Sequence, residues 1–172
     1  MIIKVDNREQ NPLPFKVGGS ITSILTIGLP YGDYWASTQN KDGSEGQDIP
    51  IQFERKSMAD LYQTLSNEDG IRRHKEKIRK AEEMDCKLYC IIEGSLSEAY
   101  KGVDHSNVDP EPLVKRIFTF KVKYGFEPVF CNNREEMMSY MIETWEAFGR
   151  NFKHLQGSLL QPLLVDKKTQ LL

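Results

Sequence analysis

The run Lys87-Leu88-Tyr89-Cys90-Ile91-Ile92-Glu93 constrains this chain more than any other segment. Successive side chains of a strand point to opposite faces, so a strand that is apolar at nearly every position must be covered on both. Helices on each side of a sheet provide that cover, and the chain has them. Ser57-Met58-Ala59-Asp60 reads as a helix start, with Ser57 as cap and an acid three positions on. Ile71 to Met84 has a helical pattern, and Leu113, Ile117, Phe120 and Tyr124 fall at helical spacing behind Pro110 and Pro112, which suit a first turn. Further strands are expected at Ile2 to Val5, ending at Asp6, then at 23–27, 33–38, 49–56 and 128–131. Asn11-Pro12-Leu13-Pro14 interrupts regular structure, Gly28 to Gly32 favours a turn, and the polar stretch Gln39 to Asp48 reads as a mobile hairpin loop. The order predicts a three-layer α/β domain.

With 172 residues the chain is long enough for one domain with a real core and short for two. We place that domain at 1–156 and read 157–172, apolar but with Pro162 and little periodicity, as a flexible or partner-docking tail. Met138, Met141, Trp145, Phe148, Phe152 and Leu155 recur at spacings of 3 and 4, a seam that suits packing on the chain's own sheet and, as the rival, pairing with a second copy. Lys and Arg number 23 against 25 Asp and Glu, so the net charge of −2 gives no global pull toward a polyanion. The apolar runs are too short to cross a bilayer and no signal segment opens the chain, so a soluble intracellular protein is expected. Cys86, Cys90 and Cys131 lack a Cys-x-x-Cys pair and read as buried reduced thiols rather than a zinc site or a disulfide.

Chemistry concentrates in residues 31–60. Asp33 follows Gly32 at the start of one strand, while Glu54 and Lys56 share one face of the next and Phe53 and Arg55 the other. Two hard carboxylates favour Mg²⁺ or Mn²⁺, and an amine beside them can orient or deprotonate a water or offset charge on a phosphate. Those two uses of Lys56 demand different protonation states, and the sequence leaves both open.

Gly32-Asp33, then Glu54-Arg55-Lys56 and Asp60, resemble the Gly-Asp, Glu-Arg-Lys, x3, Asp signature of the XPF-type structure-specific endonucleases. Val5-Asp6-Asn7-Arg8-Glu9 resembles the segment that opens the same nuclease domain, and Lys87 to Glu93 its next core strand. The resemblance implies a restriction-endonuclease-like mixed central sheet flanked by helices. It implies a divalent-metal-dependent DNA endonuclease acting on branched or flapped DNA, often as a dimer. It assigns Asp33, Glu54, Lys56, Glu9 and Arg55 to catalysis and Asp33, Glu54 and Asp6 to the metal, with Arg8 as a phosphate contact. Arg55, facing away from Glu54 and Lys56 on a regular strand, is either a structural pair or a contact from a twisted strand end. Asp60 is a cap or an auxiliary group of the site, and Glu93 supports the site or ends its strand.

Six Lys and Arg lie within 72–80, so this helix is either a solvated face or a phosphate-contacting one, with Arg72, Arg73, Lys77 and Lys80 as the contacts. His74 is expected at the surface or boundary. Two other function classes remain open: a catalytically silent nuclease-like module that binds DNA or stabilises a partner, and a ribonuclease or restriction-type enzyme on the same scaffold.

Overall fold

Seven strands join in one mixed sheet in which strand β6 (Lys87–Glu93) lies one place in from an edge and is paired on both sides. The computed structural model describes residues 1–104 and 108–165, with side chains as far as Arg150. In chain order the other elements are β1 (Ile2–Asp6), β2 (Ser23–Ile27), β3 (Tyr34–Gln39), β4 (Glu45–Asp48), β5 (Ile51–Ser57) and β7 (Glu127–Cys131), with helices α1 (Met58–Ser66), α2 (Glu68–Glu83), α3 (Leu96–Lys101), α4 (Pro110–Tyr124) and α5 (Arg134–Val165). The sheet runs β2-β1-β3-β5-β6-β7, with β4 against the far half of β3. β5, β6 and β7 are parallel, β1 and β2 are parallel, and β3 runs antiparallel between β1 and β5.

β6 splits its side chains between two cores, as its apolar run requires. Ile91 joins Ile3, Tyr34 and Phe53 under Met137, Met141 and Trp145 of α5. Leu88, Cys90 and Ile92 join Leu61 and Leu65 of α1, Ile78 of α2 and Ile117 of α4 on the other face. The fold is thus a mixed α/β sheet flanked by helices. On β5, Ile51 and Phe53 point to the α5 side, which turns Gln52, Glu54 and Lys56 toward the α2 side.

Local chemistry sets the helix ends. Ser57 accepts the Asp60 N–H while the Asp60 carboxylate accepts the Ser57 N–H, a reciprocal capping box. Asp109 caps α4, with Pro110 in its first turn, and Gly125 ends it in the left-handed conformation. Three expectations change. The polar 39–48 stretch holds β4, which pairs main chain with β3 and is pinned by buried Lys4 bridging Glu45 and Asp48; alternating apolar residues were not needed to make it a strand. The short helix α3 lay unread between two loops. The helical backbone of α5 continues through Gly157 and Pro162, where the sequence suggested a boundary. Phe152, Leu155 and the 166–172 part of the tail lie outside the residues whose side chains are described. Met141 and Trp145, the middle of the seam, are fully buried in the chain's own core. Cys86, Cys90 and Cys131 are free and buried. Among the described residues, no helix is long and apolar enough to cross a membrane.

Candidate active site

Gly32 makes the approach to the site possible. Its φ of +68° is a conformation that L side chains rarely adopt, and a Cβ there would stand 3.0 Å from Gln52 Oε1 and 3.2 Å from the Phe53 carbonyl. Only glycine lets the chain pass this close to β5 before entering β3. The turn places Asp33 directly against β5: its N–H donates to the Phe53 carbonyl at 2.7 Å, and its Oδ2 accepts the Arg55 N–H at 2.7 Å. Asp33 is therefore fastened to the peptide groups on either side of Glu54.

Glu54 is buried, at 4% exposure, yet carries a charge because two ammoniums meet it. Lys77 Nζ lies 2.6 Å from each carboxylate oxygen, reaching down from α2, and Lys56 Nζ lies 3.3 Å from Oε1. Burial pushes the Glu54 carboxyl up, but Lys77 and Lys56 outweigh it and hold it below the usual range. Burial likewise pushes the Lys56 amine down, and Glu54 more than restores it, so Lys56 stays charged at neutral pH. Asp33 moves the other way: burial, then the charge of Glu54, pushes its carboxyl up to about 7. A half-buried and a buried carboxylate that resist ionising together are the donor set that a hard divalent cation relieves. Asp33 and Glu54 thus fit Mg²⁺ or Mn²⁺, with water completing the shell.

Around this pair the other sequence candidates separate by face. Arg55 points away from Glu54 and pairs with Glu9 at 3.4 Å and Glu93 at 3.3 Å, which corresponds to the structural-pairing alternative for Arg55. Glu9, Glu54, Asp33, Arg55 and Asp60 nevertheless line one cavity of about 310 Å³, so Glu9 and Asp60 stand at its rim. Asp60 spends Oδ2 on Ser57, the capping contact of its first reading. Asp6 does not offer itself to a metal. Its carboxylate already accepts the Arg8 main-chain N–H, two guanidinium N–H groups of Arg8 and the Leu29 N–H, at 2.7 to 2.8 Å. Burial pushes its carboxyl up, and those donors bring it below the ordinary value. Asp6 anchors the loop before Gly32 and orients Arg8. Among the described residues no three His, Cys, Asp or Glu side chains form a ready cluster for a metal. The carboxylate geometry is a pair with two lysines.

The five candidate phosphate contacts do converge. Arg8, Arg72, Arg73, Lys77 and Lys80 all line a second cavity of about 400 Å³ that opens beside Asp33. His74 was misjudged. It is 3% exposed, sits edge-on to Phe126 at 5.0 Å, and is driven down to about 4 by burial and then by the charge of Lys56. The signal was present, since residues 74, 78 and 81 share one face of α2. The Lys77 bond to Glu54 was also missed, because it joins residues 23 positions apart and no local pattern announces it.

The ERCC4 domain family model matches residues 5–143, well over half the chain. No curated protein matches it. Among solved structures, XPF from Aeropyrum pernix superposes with a TM-score of 0.60 at 17% identity, covering 95% of this chain and 72% of that one. XPF from Aeropyrum pernix in complex with DNA superposes with a TM-score of 0.54 at 21% identity, covering 89% and 65%. Identities this low carry the fold alone. With a family match that spans the strand of Asp33, the Glu54-Arg55-Lys56 segment and the core strand β6, the chain belongs to the ERCC4 domain family and has the XPF-type nuclease fold.

Proposed function

We propose that the chain is a divalent-metal-dependent DNA endonuclease that hydrolyses phosphodiesters in branched or flapped DNA. The observation that carries this reading is the fastening of Asp33 to the β5 backbone on either side of Glu54, which gathers a half-buried carboxylate, a buried one and the Lys56 ammonium at one place. Asp33 and Glu54 would hold Mg²⁺ or Mn²⁺, which supplies charge stabilisation to the reacting phosphate and acidifies the attacking water. Lys56, charged because Glu54 faces it, supports the role of offsetting negative charge on the phosphate rather than that of a base. The cavity in which Arg8, Arg72, Arg73, Lys77 and Lys80 outnumber Asp6, Asp33 and Glu76 supplies the local attraction to a polyanion that a net charge of −2 withholds. A structural relative solved in complex with DNA supports DNA as the polymer. Met141 and Trp145 are committed to the chain's own core, so a homodimer would not pair through these two residues.

The silent-module reading draws on one contact. Lys77 spans both oxygens of Glu54, where a cation would sit. The two readings part in one assay: labelled flap, splayed-arm, four-way and linear DNA incubated with the purified chain and Mg²⁺ or Mn²⁺, or with chelator, at two salt concentrations. The proposal expects metal-dependent nicking of branched substrates that Asp33→Ala and Lys56→Ala abolish. Nicking that survives both substitutions refutes the site, and binding without nicking on every substrate establishes the silent module.

A further inference from the structure

We propose that Lys77 is a resident counter-ion that holds the cation's place at Glu54 and gives it up when the divalent metal binds, its amine moving to a DNA phosphate. This rests on the reading that Asp33 and Glu54 hold the metal.

The two lysines at Glu54 differ in freedom. Lys56 extends from the same strand as Glu54 and is only 11% exposed. Lys77 reaches in from α2 and is 38% exposed, while the carboxylate it meets is only 6% exposed. Its stem therefore runs along solvent and its amine can withdraw without uncovering a core. Withdrawal has a destination, because Lys77 also lines the cavity that it shares with Arg8, Arg73 and Lys80.

Charge explains why the exchange is needed. Asp33 and Glu54 face Lys56 and Lys77 when no metal is present. A dication added to that set would meet an ammonium bridging both oxygens of one of its ligands, and the two cations repel at such distances. Once Lys77 leaves, the dication and Lys56 face the two carboxylates, and the freed amine adds one positive charge to the wall that meets phosphate. Metal and DNA then favour each other through one side chain, and the linkage is reciprocal. A phosphate that draws Lys77 away opens Glu54 to the metal, and a metal that displaces Lys77 strengthens the grip on phosphate.

The test is Mn²⁺ binding to the full chain without DNA, followed by calorimetry or by the loss of the free-ion paramagnetic signal. Lys77→Met is expected to bind Mn²⁺ about ten-fold tighter than the wild type, and Glu54→Gln added to it is expected to remove the gain. Equal or weaker Mn²⁺ binding by Lys77→Met, in protein whose binding still depends on Glu54, overturns the counter-ion role and leaves the metal site standing. Binding indifferent to Glu54→Gln, or no binding at all, overturns the metal site and this inference with it. A second measurement needs no variant, in case Lys77→Met fails to fold. Reductive methylation of the wild-type chain, read residue by residue by mass spectrometry, is expected to label Lys77 several-fold faster with Mn²⁺ than without. A labelling rate that Mn²⁺ leaves unchanged overturns the exchange.

Discussion

Single residues carry two separable duties in this fold, setting which groups are charged and shaping the backbone that presents them. His74 shows the first. Its folded value near 4 lies below the ordinary 6.5, so the folded chain resists a proton that the unfolded chain accepts. Its contribution is therefore intact above pH 6.5 and is lost as the pH falls from there toward 4, at a cost of about 3 kcal/mol over that interval. His74→Phe, which keeps the edge contact to Phe126, should flatten the fall in unfolding free energy between pH 6.5 and 4. An unchanged slope in urea titrations at those two pH values would remove His74 from the account. Gly32 shows the second duty. Gly32→Ala should cost about 1 to 3 kcal/mol, because the new methyl meets Gln52 and the Phe53 carbonyl in a backbone conformation that alanine disfavours. It should also lower activity by shifting Asp33, and a stability within error of wild type would contradict the close approach.

At the scale of elements, β5 and α5 set the frame. β5 sorts its side chains by face, giving Phe53 to one core and Glu54 to the site, and α5 presses Trp145 edge-on to Phe53 while its indole N–H donates to the Ile51 carbonyl at 3.0 Å. Trp145→Ala should destabilise the chain by about 3 to 5 kcal/mol, read as a lower denaturation midpoint. An unmoved midpoint would mean that α5 does not anchor the sheet. Much of this was legible in sequence because it follows local rules. The apolar run 87–93 announced a strand covered on both faces, the Ser57 and Asp60 pair announced a helix start, and alternation in β5 put Glu54 beside Lys56 and sent Arg55 the other way. What stayed hidden depends on tertiary placement. β4 forms because main chain and Lys4 hold it, not because its Glu-Gly-Gln-Asp side chains alternate. The Leu29 N–H completes the shell that Arg8 builds around Asp6, and Lys77 spans Glu54, through contacts between residues more than 20 positions apart.

For the whole molecule, the question is how a chain of net charge −2 meets a polyanion. The answer offered by the structure is clustering: Arg8, Arg72, Arg73, Lys77 and Lys80 share one cavity, where they outnumber the acidic Asp6, Asp33 and Glu76. Lys80→Ala should weaken binding to all DNA sequences alike and reduce the slope of log affinity against log salt by about 1. A slope that does not change would place DNA elsewhere on the surface. The central claim is that Asp33 and Glu54 share one divalent cation that makes the chain a nuclease. Its most direct test is the single-turnover nicking rate of a labelled flap as Mg²⁺ is titrated, for wild type, Asp33→Asn and Glu54→Gln. The account predicts saturable, metal-dependent nicking in the wild type and a loss of about a thousand-fold or more in each variant. Nicking by either variant at the wild-type rate and metal dependence would contradict it.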